Sequence, residues 1–218
     1  MRAMIPAVYF DFVGTLVGTY DFRRHLEDAV RATSITEDCV DPEKSILLDK
    51  EYTRRVLTDP ESALRTARTK EVMEELKRRG FKRVIWTSED PYTVGEILKR
   101  EGLQVDRIDA TTGYGIPLHT GVDFMYKPFK RKVTKADLLS KTEYKPTIVV
   151  DDDPKGLEHC KLSGRSDIDK FVCIVNRPDS VESQKPFKNK QAELRLNVKL
   201  FFSQTVESLL EILSYAGR

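Results

Sequence analysis

Two stretches decide the fold: Val8-Tyr9-Phe10-Asp11-Phe12-Val13-Gly14-Thr15-Leu16 and Ile148-Val149-Val150-Asp151-Asp152-Asp153-Pro154. Each opens on an apolar run, β-branched or aromatic and without polar alternation, which suits a parallel strand buried on both faces. Each run ends abruptly in aspartate. In an open parallel sheet, ligands bind beyond the carboxyl ends of the strands, where strand order reverses. Acids at two such ends therefore converge on one place, and their oxygen donors suit Mg²⁺, which keeps waters and a phosphate in its shell. Gly14 lets the chain turn sharply after the first acid and aim backbone N–H groups at an oxyanion.

Working outward, Val84-Ile85-Trp86 and Phe171-Val172-Cys173-Ile174-Val175 read as further buried strands, with a weaker candidate at Val105 to Ile108. Amphipathic helices lie between them. In 61–79, Leu64, Ala67, Val72, Met73 and Leu76 share one face, and Gly80 stops the helix. Asp-Pro at 41–42, 59–60, 90–91 and 153–154 predicts four helix starts, with Asp as N-cap and Pro in the first turn. Strands alternating with helices predict an α/β fold, a doubly wound parallel sheet with a Rossmann-like core. Residues 18–58 break the rhythm with two helices, near 22–33 and 42–57, and no strand between them. They read as a small helical cap inserted after the first strand, or as a helical connection packed on the sheet. The domain assignment is then a core of 1–17 and 59–218 with the cap at 18–58. The polar stretch 178–190 reads as a surface loop. Residues 192–214 read as an alternating strand (Leu194, Leu196, Val198, Leu200) followed by a helix.

Composition narrows the function classes. The 218 residues fit one domain with a core large enough to need no staple. Lys and Arg total 37 against 35 Asp and Glu, a net charge of +2 that argues against a nucleic-acid or acidic-membrane binder. Charged residues make up 33% of the chain while Asn and Gln are scarce, a bias typical of heat-adapted proteins. Cys39, Cys160 and Cys173 form no CxxC pair, which excludes a disulfide scaffold or a cysteine zinc site. The start carries no signal-peptide pattern, and no apolar run approaches the ~18 residues of a membrane span. The expectation is a soluble, cytoplasmic protein, monomer or homodimer, with neither nucleic acid nor membrane as partner.

Four segments together resemble the haloacid-dehalogenase-like (HAD) hydrolases, a family composed mostly of Mg²⁺-dependent phosphatases. Asp11-Phe12-Val13-Gly14-Thr15-Leu16 looks like the first motif, Val84-Ile85-Trp86-Thr87-Ser88 the second, Tyr126-Lys127-Pro128 the third and the acidic run 151–153 the fourth. Each alone is weak; four in order are specific. The resemblance implies Asp11 as nucleophile, and Thr87 and Lys127 as groups stabilising the transferring phosphoryl. It implies a phosphate cradle of Phe12, Val13, Gly14, Thr15 and Ser88. Mg²⁺ would be held by Asp11, Asp152 and the carbonyl of Val13, with Asp151 behind them. The substrate it implies is a small phosphorylated molecule. Asp153 reads as a helix cap.

Val13 departs from the pattern. Most phosphatases of the family carry Asp two residues after the nucleophile, where it protonates the leaving oxygen and then activates water. Valine can do neither, and such help is worth about 10²–10⁴-fold. The first reading is a phosphatase working through an aspartyl-phosphate, slow or restricted to good leaving groups, or recruiting Asp21 or His25 as the acid. The alternatives are a non-catalytic protein that binds phosphate and Mg²⁺, and a phosphonatase- or dehalogenase-type hydrolase.

Overall fold

The computed structural model describes residues 4–37, 39, 41–111, 123–124, 133–176 and 181–215. The first apolar run forms β1 (Pro6–Phe10), at the centre of a seven-stranded sheet. On one side lie β2 (Lys82–Thr87), β3 (Arg107–Ala110) and β4 (Asp123–Phe124). On the other lie β5 (Lys145–Asp151), β6 (Lys170–Ile174) and β7 (Lys199–Ser203). Every pairing is parallel. The helices are α1 (Phe22–Thr33), α2 (Pro42–Thr58), α3 (Thr69–Arg78), α4 (Pro91–Glu101), α5 (Lys135–Lys141), α6 (Lys155–Leu162), α7 (Val181–Leu194) and α8 (Ser208–Tyr215).

The strands lack polar alternation because both faces are covered. Val8, Phe10, Ile85, Ile148, Val150 and Val172 pack with residues of α2, α3, α4 and α8. Ala7, Tyr9, Val84, Trp86, Val149 and Phe171 pack on the opposite face with residues of α5, α6 and α7. The sheet is therefore doubly wound. Three Asp-Pro pairs act as the sequence predicts: Asp41 caps α2, Asp59 caps a 3₁₀ turn at 60–62, and Asp90 caps α4. Such a cap contributes about 1 kcal/mol. The fourth pair departs from the expectation: α6 begins at Lys155 with Pro154 at its N-cap, so Asp153 stands one residue before the cap, where it accepts from the Lys155 amide at 2.8 Å.

Three readings need correction. The 61–79 helix begins only at Thr69, because the backbone before it pairs with the loop after β1: Arg65 N–H donates to the Leu16 carbonyl, and Gly18 N–H to that of Ala63. The 178–190 surface loop is helical from Val181, anchored by buried Phe187 between the rings of Phe171 and Phe202. Residues 177–180 lie outside the described residues. The alternating strand at 194–200 begins only at Lys199. Leu194 ends α7, Arg195 turns the chain with φ 52°, and Leu196 and Leu200 pack on the same core face. No helix among the described residues is long and apolar enough to cross a membrane.

The two helices of 18–58 pack on each other, and α2 lies against α4, where Thr53 and Thr93 share a 2.8 Å hydrogen bond between hydroxyls. Beside this contact, Asp49 is buried, and its Oδ2 has no hydrogen-bond partner among the described residues. Burial, helped by Asp90, pushes its carboxyl up to about 8. Between pH 4 and 8 the native state therefore keeps a proton that the unfolded chain releases, so this residue costs stability as pH rises. Asp49→Asn should raise Tm at pH 8 and leave it nearly unchanged at pH 4, as followed by thermal denaturation.

Candidate active site

Register brings the acids together. Phe10 pairs with Ile85 on one side and Val150 on the other, and Asp11 N–H donates to the Val150 carbonyl at 2.8 Å. Asp11 and Asp151 thus stand at adjacent strand ends, and one carboxylate oxygen from each of Asp11, Asp151 and Asp152 lies within 4.8 Å of the others. The loop after Asp11 is closed by backbone bonds from Leu16 and Val17 N–H to the Phe12 carbonyl, and from Gly14 N–H to that of Val17. Phe12, Leu16 and Val17 are buried and anchor it. Gly14 has φ +80°, and a Cβ there would run into the Asp152 carboxylate, so glycine is required twice over. Thr15 is buried, and its hydroxyl has no hydrogen-bond partner among the described residues.

Among the described residues, the cation bonded to this cluster is Lys135, at the first turn of α5. Its Nζ donates to Asp11 Oδ1 at 2.7 Å and to Asp151 Oδ2 at 3.1 Å. Trp86 on β2 fixes it twice: the indole N–H donates to the Lys135 carbonyl at 2.8 Å, and the ammonium sits 4.6 Å from the ring centroid. Thr134 and Asp137 form a capping box that sets where α5 starts. Asp151 is held further by the Asp153 amide at 2.9 Å, and α6 approaches closely enough that a Cβ on Gly156 would press on its carboxylate.

Asp152 is held from outside the cluster, its Oδ2 accepting from Asn176 Nδ2 at 2.8 Å. The Arg65 guanidinium joins this group to the first loop by donating to the Gly14 carbonyl, to Asn176 Oδ1 and, at 3.0 Å, to the Gln204 carbonyl. Asp11, Val13, Thr87, Ser88, Lys135 and Asp152 line one cavity of about 380 Å³, together with Tyr20, Phe22, Glu89, Asp151 and Asp153. The Thr87 hydroxyl accepts from the Glu89 amide at 3.0 Å.

Charge in this cavity is unbalanced. Burial of the Lys135 ammonium favours the neutral amine, but Asp151 and Asp11 outweigh it and hold the ammonium protonated. Burial raises the Asp11 carboxyl above its ordinary value and that of Asp151 to about 7, with Lys135 pulling both down. Burial and Asp151 raise Asp152 as well. Among the described residues, the cluster of Asp11, Asp151 and Asp152 meets one ammonium, and its negative charge, presented by hard oxygen donors, fits a small divalent cation such as Mg²⁺.

Of the residues singled out in the sequence, the structure gathers Asp11, Val13, Thr87, Ser88, Asp151 and Asp152 around this cavity and puts Gly14 against Asp152. Phe12 turns its side chain into the core. Lys127 lies outside the described residues. Sequence reasoning missed Lys135, Glu89, Asn176 and Arg65. The one available signal for Lys135 was its place at the start of a capped helix with apolar residues following.

Several solved structures share this fold. A haloacid dehalogenase-like hydrolase from Streptococcus pneumoniae superposes with a TM-score of 0.52 at 16% identity, covering 97% of this chain and 98% of that one. A phosphoserine phosphohydrolase-like protein from Francisella tularensis gives 0.53 at 15%, covering 96% and 100%. A HAD-hydrolase of Bacillus subtilis, bound to magnesium, gives 0.51 at 13%, covering 97% and 100%. The sequence itself matches no family model, and the comparison with curated proteins finds no match.

Proposed function

We propose that this chain, which has the fold of the haloacid-dehalogenase-like hydrolases, is a Mg²⁺-dependent phosphatase acting on a small phosphorylated molecule through an aspartyl-phosphate on Asp11. The observation that carries this reading is the triangle of Asp11, Asp151 and Asp152 with Lys135 bonded across two of its members. Mg²⁺, held by Asp11, Asp152 and the Val13 carbonyl, would supply charge neutralisation between nucleophile and substrate and polarise the phosphoryl oxygens.

The chain's own groups do the rest. An oxygen of Asp11 attacks phosphorus, splitting one difficult displacement into two easier ones. Lys135 orients that carboxylate and, with the Thr87 hydroxyl and the amides of the loop after Asp11, counters the charge on the transferring group. Asp151 anchors Lys135. A cavity of about 380 Å³ suits a small substrate. Exposed Phe22 and the side chains of Val13 and Tyr20 give it an apolar wall for the leaving group. Residues 18–58 supply Tyr20 and Phe22, and we assign them the part of a small cap.

The test is hydrolysis of a panel of aryl and alkyl phosphates with Mg²⁺ and with EDTA; the reading expects turnover only with the metal. Binding should also register as stability. At a hundred times its Kd, Mg²⁺ should stabilise the protein by about 2.7 kcal/mol, and Asp152→Asn should largely remove that gain. Equal thermal shifts in both proteins would contradict the assignment of Asp152.

A further inference from the structure

Val13 leaves the first loop without an acid, and the two substitutes suggested by sequence are engaged elsewhere. Asp21 caps α1, accepting from the Arg24 amide at 3.0 Å. His25 is buried with Nε2 2.6 Å from Asp59 Oδ2. Neither lines the cavity. Glu89 does, beside Asp11, Val13 and Thr87. Its carboxyl is held from three directions. The Tyr20 hydroxyl donates to Oε2 at 2.7 Å, the Tyr52 hydroxyl lies 3.0 Å from both oxygens, and the Asp90 amide donates to Oε1 at 2.8 Å. Tyr20 comes from the segment after the first loop and Tyr52 from α2, so residues 18–58 aim this one side chain.

We propose that Glu89 is the acid–base group of the pocket, performing the two proton transfers that Val13 cannot. The inference rests on the phosphatase reading and deepens it. In the first step an Asp11 oxygen bonds to phosphorus, the bond from phosphorus to the leaving oxygen breaks, and that oxygen takes the Glu89 proton. In the second, the Glu89 carboxylate takes a proton from water as the water oxygen attacks phosphorus. The bond from phosphorus to the Asp11 oxygen breaks, the Asp11 carboxylate is regenerated, phosphate departs, and Glu89 is protonated again. The environment suits both states. Burial raises the Glu89 pKa, bonds from Tyr20, the Asp90 amide and Tyr52 lower it, and the Asp90 carboxylate raises it. The Asp90 charge also acts on the Asp49 carboxyl of α2. Tyr20 and Tyr52 are positioning residues.

The test compares phenyl phosphate with 4-nitrophenyl phosphate, alike in shape but unlike in leaving-group basicity. Glu89→Gln should lower kcat for phenyl phosphate about 10²–10⁴-fold. With 4-nitrophenyl phosphate, whose departure needs no acid, it should release about one equivalent of nitrophenolate in a burst and then stall, because hydrolysis of the acyl-phosphate still needs the base. Adding Val13→Asp to Glu89→Gln should restore turnover at least about tenfold. A folded Glu89→Gln protein within about threefold of wild type on phenyl phosphate would overturn the inference while leaving the phosphatase reading intact. Wild type that hydrolyses neither ester would overturn both. Should Glu89→Gln fail to fold, Tyr52→Phe decides. Removing a donor to the carboxylate should move the alkaline limb of kcat/KM to higher pH, and an unmoved limb overturns the assignment.

Discussion

Asp11→Asn should abolish turnover while leaving the fold intact. Loss of a nucleophile typically costs about 10⁴–10⁶-fold in kcat, and the amide has neither the charge nor the basicity to attack phosphorus. Stability should move the other way. Burial already disfavours charge at Asp11, and an asparagine Oδ1 can still accept from Lys135. The variant should therefore denature at the same temperature as wild type or higher, the pattern expected where function is kept at the expense of stability. Parallel hydrolysis assays and thermal melts check both halves. A variant that loses activity only because it unfolds would not support a nucleophile at this position.

Lys135→Met should fail on both counts. The ammonium is the counter-charge bonded to two buried carboxylates, and removing one partner of a buried pair typically costs about 3–5 kcal/mol. Activity should fall about 10²–10³-fold, the usual loss for a group that stabilises developing charge. The deficit should also depend on pH. Without Lys135, Asp11 and Asp151 favour their protonated forms still more strongly, and the native state holds protons that the unfolded chain gives up, so stability falls as pH rises. The gap in Tm from wild type should be widest near pH 8 and narrow toward pH 4. Combining Lys135→Met with Asp151→Asn should recover part of the lost stability but none of the activity. A gap that ignores pH would show that Lys135 matters for packing rather than charge.

What could be read from the sequence follows from what local patterns encode. β1, β2, β5 and β6 were legible because strands covered on both faces carry apolar runs, and Asp11 and Asp151 because an acid ending such a run has no packing reason to be there. Lys135 was not, since Trp86, which holds its carbonyl and stacks under its ammonium, lies forty-nine residues earlier in the chain. Glu89 sits just before Asp90-Pro91, where a polar residue looks like an ordinary helix start. Its role depends on Tyr20 and Tyr52, which only tertiary docking brings to it. Arg65 was absorbed into a helix drawn too long. The segment around it pairs with the loop it supports, and helical periodicity carries no sign of that. α7 has little apolar periodicity to show, and Phe187 is its one fully covered anchor.

The central claim is covalent, and the most direct measurement is chemical. Wild-type protein with Mg²⁺ is mixed with 4-nitrophenyl phosphate and quenched in acid on the millisecond scale. It is then reduced with borohydride, which converts an aspartyl-phosphate to homoserine, and the digest is read by mass spectrometry. Homoserine should appear at position 11, only after exposure to substrate, and should be absent from Asp11→Asn. Turnover with Asp11 unmodified, or a phosphoryl group captured on another side chain, would contradict the mechanism.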